Sequence, residues 1–185
     1  MDECIARITP YTLVGHARLE RMWSLASSVR DLPGDALEVG VWRGGVSRLI
    51  AEASGKRIWA ADTFSGVVKA GEHDTTYHGG EHADTSRSIA ESILNGCDYH
   101  ILEGVYPDEV RVTCPLAFVH IDVDVHDSAR DVFEQVWPLV VPGGIVVFDD
   151  YHNPHTPGIK RFVDTLQGVQ TLHDDAEGQA YVVKC

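Results

Sequence analysis

The chain has 185 residues, a formal net charge of −13 and 44% hydrophobic residues, with a pI near 5.0. That supports one domain with a full core rather than two. The acidic balance argues against nucleic acid as a partner, since phosphate binding needs a basic surface.

The N-terminus "MDECIARITP" has no apolar signal region, and no run approaches the ~20 apolar residues that cross a bilayer. No membrane partner is expected, and the expected location is the cytoplasm. Cys4, Cys97, Cys114 and Cys185 form no CxxC pair, which fits free thiols in a reducing compartment.

In chain order, Thr9-Pro10 reads as a helix start, and helical spacing of Leu13, Val14, Ala17, Met22, Ala26 and Val29 predicts a helix over 10–31. Leu32-Pro33-Gly34 ends it. A buried strand is expected at 36–41, a helix at 45–54 and a second strand at 57–64. Residues 65–86 hold four glycines and three histidines with few apolar residues, and read as a lid-like loop. A helix follows at 86–96, a strand at 99–104, a short helix at 106–111, a strand at 116–124 and a helix at 128–140. Pro142-Gly143-Gly144 reads as a turn into a strand at 145–150. A helix from Pro157 to about Gln167 precedes strands near 169–173 and 179–184, with a hairpin loop at 174–178.

Strands alternating with helices, several of them almost wholly apolar, indicate an open and mostly parallel α/β sheet. The terminal hairpin adds an antiparallel strand. The whole of 1–185 is expected to be one domain.

Ligands of such sheets bind beyond the carboxyl ends of the strands. Here those ends are acidic: Glu38, Asp62, Glu103, the "DVD" of Asp122 to Asp124, and Asp149-Asp150 closing "IVVFDD". Adjacent carboxylates repel unless a cation, a helix N-terminus or an arginine offsets them. Hard oxygen ligands without a nearby cysteine suit Mg²⁺. Strand one also runs into "LEVGVWRGGVS", a glycine loop that is neither GxGxxG nor a P-loop. Asp62 follows Gly40 by roughly 20 residues, an offset suited to gripping ribose hydroxyls. Trp42 follows the loop's first glycine and is a candidate for contact with cofactor or acceptor.

ExGxxxG after strand one with an acid closing strand two resembles class I S-adenosylmethionine-dependent methyltransferases. "ADTFSG", "LEGVYPDEV", "HIDVDVHDSARDVFEQVWPLVVPGGIVVFDDY" and "GIKRFVDTL" together resemble the macrocin O-methyltransferase family, metal-dependent sugar O-methyltransferases of antibiotic biosynthesis. The similarity covers roughly residues 36–167 and is most specific over 120–151.

The resemblance implies a Rossmann-like methyltransferase fold with a seven-stranded sheet, S-adenosyl-L-methionine and Mg²⁺ as cofactors, and a small glycosylated hydroxyl acceptor. It places Glu38 and Gly40 at the methionine part of the cofactor, Asp62 with Thr63 at the ribose, and Gly104 with Val105 near the adenine. Asp122, Asp149 and Asp150 match the family's metal ligands. Independently of the resemblance, Asn153 is a candidate for the outer shell of an octahedral Mg²⁺. Relatives carry a longer N-terminal extension that helps build a dimer, and a homodimer is left open here.

A base must take the hydroxyl proton. Asp122, also at the cofactor, is one candidate; His78 and His82 on the 65–86 loop are others. His120, out of phase with Ile121 in its strand, is expected to pack or hydrogen-bond on a sheet face. Asp149→Asn is expected to relieve carboxylate repulsion in metal-free protein. The alternative functions are a non-catalytic binding protein of the same fold and, with less support, a dinucleotide-dependent oxidoreductase, which would want GxGxxG.

Overall fold

A computed structural model describes residues 1–166, 172–174 and 178–185, the middle segment by its backbone alone. Ahead of the sheet come α1 (Asp2–Ile8), a 3-10 turn at Thr9–Tyr11 and α2 (His16–Ser28). The expected 10–31 helix is therefore shorter, and a second helix stands before it. Thr9-Pro10 forms the 3-10 turn, and extended Thr12 and Gly15 bracket the break before α2. Leu19, Met22 and Ala26 form the buried face of α2. Burying a side chain the size of Leu or Met stabilises the fold by ~1.5–3 kcal/mol.

The following elements are β1 (Asp35–Val39), α3 (Gly45–Ser54), β2 (Ile58–Asp62), α4 (Arg87–Leu94), β3 (Tyr99–Glu103), β4 (Leu116–Ile121), α5 (His126–Val136), β5 (Val140–Phe148), α6 (Pro157–Asp164), β6 (Leu172–Asp174) and β7 (Ala180–Val183). Ser86 caps α4, its side chain accepting from the Ile89 amide. Residues 106–111 form turns and extended chain rather than the expected short helix. The expected terminal hairpin loop lies largely outside the described residues.

The sheet has seven strands in the order β3-β2-β1-β4-β5-β7-β6. Every pairing from β3 to β5 is parallel, and β7 runs antiparallel to both β5 and β6. The antiparallel strand thus lies inside the edge. The Pro142-Gly143-Gly144 turn is absorbed into β5 as a bulge. Leu116 pairs with Val140, but Phe118 pairs with Ile145.

β4 is buried along its whole length, as a central parallel strand must be. One apolar cluster packs α2 and α3 on one sheet face, and the other packs α5 and α6 on the opposite face. The sequence order reverses between β1 and β4, which makes their carboxyl ends the topological switch point where such sheets bind ligands.

Candidate functional site

A cleft of about 250 Å³ opens at the switch point. It is bounded by the β1 end and the loop into α3, by Asp62 and Thr63 after β2, by Gly104 after β3, and by the acids after β4 and β5. Tyr11 to Val14, the break ahead of α2, form a further wall. Gly45 lets this segment lie close, because a Cβ there would meet the Tyr11 carbonyl oxygen at 2.5 Å.

Gly40 has φ +90, and a Cβ on it would stand 1.7 Å from the Asp122 carbonyl oxygen. The glycine is therefore required by the approach of the β1 and β4 ends to each other, whatever ligand lies above them. Among the described residues, six non-glycine residues have positive φ, and of these Trp42, His82, Asp124 and Asp150 line the cleft. Such backbone is uncommon for non-glycine residues and gathers at functional sites.

Glu38 and His120 are register partners on β1 and β4. Both are buried, and His120 Nδ1 lies 2.8 Å from Glu38 Oε1. The Ser47 hydroxyl donates to the other Glu38 oxygen. His120 Nε2 lies 3.9 Å from Asp149 Oδ1. Burial opposes the charged ring, but the Asp149 and Glu38 carboxylates prevail and push the His120 pKa up to about 10. The expected sheet-face hydrogen bond is present, between β1 and β4, with Asp149 within ion-pair distance on the other side of the ring.

Asp62 ties two loops together. Its Oδ2 accepts from the Val41 and Trp42 amides at 2.7 and 2.8 Å, and its Oδ1 accepts from the Phe64 amide at 2.7 Å. Oδ1 keeps a lone pair for a hydroxyl. Trp42 donates from Nε1 to Asp84 at 2.9 Å, with the Arg43 guanidinium 4.3 Å from its ring centroid.

Asp122, Asp149 and Asp150 meet at the ends of β4 and β5, with one oxygen from each within 4.8 Å of the others. Asp149 is held below the usual carboxylate range, against its burial, chiefly by His120 and then by Arg18 and Gln179. Burial and Asp149 raise Asp122 well above that range, with His120 opposing. Burial and Asp149 also raise Asp150, against Asn153 and Arg18. Asp124 is pushed up to about 7 by burial and Asp150. At Asp122 and Asp150, burial together with the neighbouring carboxylate outweighs the relief from His120 and Arg18, whereas at Asp149 that relief prevails. An all-oxygen donor set in that condition fits a hard divalent cation.

The surroundings of this cluster hold what sequence reading missed. Arg18 Nη1 donates to Asp149 Oδ2 at 2.5 Å and lies 3.2 Å from Asp150 Oδ1. Gln179 Nε2 donates to Asp149 Oδ1 at 2.6 Å. Asn153 Nδ2 donates to Asp150 Oδ1 at 3.1 Å, beside the cluster as expected. Asp124 lines the cleft next to the cluster. Its place in "DVD" was the one available signal for it.

Ten of the residues singled out from sequence border the cleft: Glu38, Gly40, Trp42, Asp62, Thr63, His82, Gly104, Asp122, Asp149 and Asp150. His78 and Val105 are not among its lining residues, and His78 is exposed. His82 Nε2 lies 3.1 Å from the Tyr77 hydroxyl.

The 65–86 loop is fastened at several points. Lys69 Nζ lies 2.8 Å from both Asp108 and Asp131. Ser128 donates to the Val68 carbonyl at 2.9 Å. Asp74 accepts from the His126 amide at the start of α5 at 3.0 Å.

A family model described as macrocin-O-methyltransferase (TylF) matches residues 6–179. The chain is 31% identical over 168 residues to the 8-demethyl-8-(2,3-dimethoxy-alpha-L-rhamnosyl)-tetracenomycin-C 4'-O-methyltransferase of Streptomyces olivaceus, covering 76% of this chain and 62% of that one. It is 32% identical over 172 residues to the mycinamicin III 3''-O-methyltransferase of Micromonospora griseorubida, covering 78% and 66%. The chain thus spans under two thirds of the length of these curated relatives. Among solved structures it is similar to the O-methyltransferase NovP, with TM-score 0.77 and 26% identity over 94% of this chain and 82% of that one. The calicheamicin methyltransferase CalS11 shares the fold, with TM-score 0.76 and 20% identity over 98% and 91%.

Proposed function

Since the chain belongs to the macrocin O-methyltransferase family, we propose that it transfers a methyl group from S-adenosylmethionine to a hydroxyl of a sugar on a small natural product, with Mg²⁺ at Asp122, Asp149 and Asp150. The observation that carries this reading is the convergence of those three carboxylates within 4.8 Å at the rim of a glycine-loop cleft. The two relatives described above are, by name, O-methyltransferases, and the name of the first carries a rhamnosyl group, which supports the acceptor class.

In this reading Glu38 and Gly40 face the methionine part of the cofactor, Asp62 and Thr63 the ribose, and Gly104 the adenine end. Trp42 lies against the donor along the same wall. The O–CH₃ bond forms as the S–CH₃ bond breaks, and the hydroxyl proton passes to a base in the cleft. Positioning an already activated donor and its acceptor supplies much of the rate. A bound Mg²⁺ would lower the pKa of the acceptor hydroxyl and fix its direction. Asp124, in the cleft but outside the three-carboxylate cluster, is placed to take the proton. His82, also in the lining and 3.1 Å from the Tyr77 hydroxyl, is the other candidate. Asp122 is less free for that role if it holds the cation, and His78 stands outside the lining.

The test is methyl-donor turnover against a panel of glycosides and catechols, with and without EDTA. Mg²⁺-restored methylation of a glycoside supports the proposal. Binding of S-adenosylhomocysteine with no turnover on any hydroxyl favours a non-catalytic protein of the same fold.

A further inference from the structure

Asp149 has both oxygens engaged. Gln179 holds Oδ1 at 2.6 Å and Arg18 holds Oδ2 at 2.5 Å. Arg18 also reaches Asp150 Oδ1 at 3.2 Å, an oxygen that already accepts from Asn153 at 3.1 Å. One guanidinium therefore bridges two of the three carboxylates of the cluster.

The two donors on Asp149 differ in how easily they can leave. Gln179 is neutral and buried and sits one residue before β7, so an arriving cation does not repel it. Arg18 stands in the first turn of α2 on a long stem, its side chain 22% exposed and part of the cleft wall. A Mg²⁺ ion sits about 2.0–2.1 Å from each ligand oxygen. An arginine nitrogen 2.5 Å from the same carboxylate oxygen would then face a dication across a short gap with no solvent between them. Like charges so placed repel strongly, and only the arginine has somewhere to go.

We propose that Arg18 is a tethered counter-ion that occupies the Asp149-Asp150 pair in the absence of metal and exchanges with Mg²⁺. The inference rests on the metal reading above and deepens it. Before the metal binds, the arginine offsets part of the doublet's charge and straps α2 to the end of β5. When the metal binds, the guanidinium is released into the cleft next to the Tyr11 to Val14 wall. Metal affinity is then set by competition with a residue of the chain itself, and the N-terminal wall and the metal site are coupled.

The experiment measures Mg²⁺ binding by calorimetry, and thermal melting with and without Mg²⁺, for the full chain and for Arg18→Gln and Arg18→Lys. A charge-assisted hydrogen bond of ordinary strength must be broken for metal to enter. Arg18→Gln is therefore expected to bind Mg²⁺ ~10-fold or more tightly. It should melt lower than the parent without metal and recover more of its Tm when Mg²⁺ is added. Arg18→Lys, which keeps the charge without the fork, should fall between the two. If the parent binds Mg²⁺ and Arg18→Gln binds it equally or more weakly, the exchange is overturned while the metal site stands. If neither protein binds Mg²⁺, the metal site fails and the exchange fails with it.

Discussion

Glu38 and His120 lie opposite each other on parallel neighbours β1 and β4, with Oε1 2.8 Å from Nδ1 and neither side chain more than 1% exposed. A buried ion pair adds little relative to an apolar pair, but removing one partner strands the other charge. Glu38→Ala is therefore expected to lower unfolding stability by about 3–5 kcal/mol. Urea unfolding measures it, and a loss under ~1 kcal/mol would show that the imidazole does not need its partner.

Asp62 offers a second test. It accepts from three backbone amides, so its removal loosens the loops after β1 and β2 as well as the proposed ribose contact. Asp62→Ala should weaken S-adenosylhomocysteine by ~1–3 kcal/mol and also lower the Tm of ligand-free protein. Calorimetry and melting read the two effects separately. Unchanged affinity would remove Asp62 from the ribose site and leave it a loop tie.

For the metal, EDTA should abolish turnover and Mg²⁺ restore it. Asp149→Asn should weaken Mg²⁺ far more than S-adenosylmethionine. The structure reverses the sequence-based expectation for its stability. Asp149 is the carboxylate that His120 and Arg18 hold ionised, so neutralising it forfeits attraction rather than relieving repulsion. Metal-free Asp149→Asn should lose ~1–3 kcal/mol, and a rise in its Tm would contradict this account.

The base is tested by comparing three variants at saturating donor. Asp124→Asn or His82→Ala, whichever carries the proton, should lower kcat by ~10²–10⁴-fold while leaving cofactor binding intact. His78→Ala should stay near parent activity, because His78 is exposed and is not a lining residue. A His78→Ala variant with a loss of that size would mean that the 65–86 loop rearranges to bring His78 in.

That loop supports a further prediction. We propose that it acts as a lid, fastened at its base by Lys69 to Asp108 and Asp131. Limited proteolysis should cut within 72–84 and slow when cofactor, Mg²⁺ and acceptor are present together. Lys69→Ala should speed cleavage without ligand. Equal rates in all conditions would make the loop a fixed wall.

Local pattern was enough to reveal the alternation of strands and helices, the acids that end the strands, and hence the ligand-bearing rim. A strand that is apolar until it meets water reports its own end, so Asp62, Asp122 and Asp149-Asp150 could be placed without knowing their neighbours. The family motifs depend on the same short-range order. Local pattern failed where an element's limits depend on what it packs against. The 10–31 periodicity hid the break before α2, because Val14 is buried while Leu13 next to it is 62% exposed. Pro142-Gly143-Gly144 looked like a turn, but β5 carries it as a bulge against β4.

Which charges meet was decided only by tertiary structure. His120 in isolation is one polar residue in an apolar strand. It becomes a link between Glu38 and Asp149 only because β1, β4 and β5 lie side by side in parallel register. Arg18 reaches Asp149 from 131 positions away, and Gln179 approaches the same carboxylate across the β5–β7 pairing. Gly40 is a glycine because of the Asp122 carbonyl above it, a contact between two strands that no spacing within one of them encodes. Hydrophobic period and strand-end polarity belong to each segment by itself. The pairing of charges belongs to the crossovers that set strand order, and those are settled only when the whole sheet has formed.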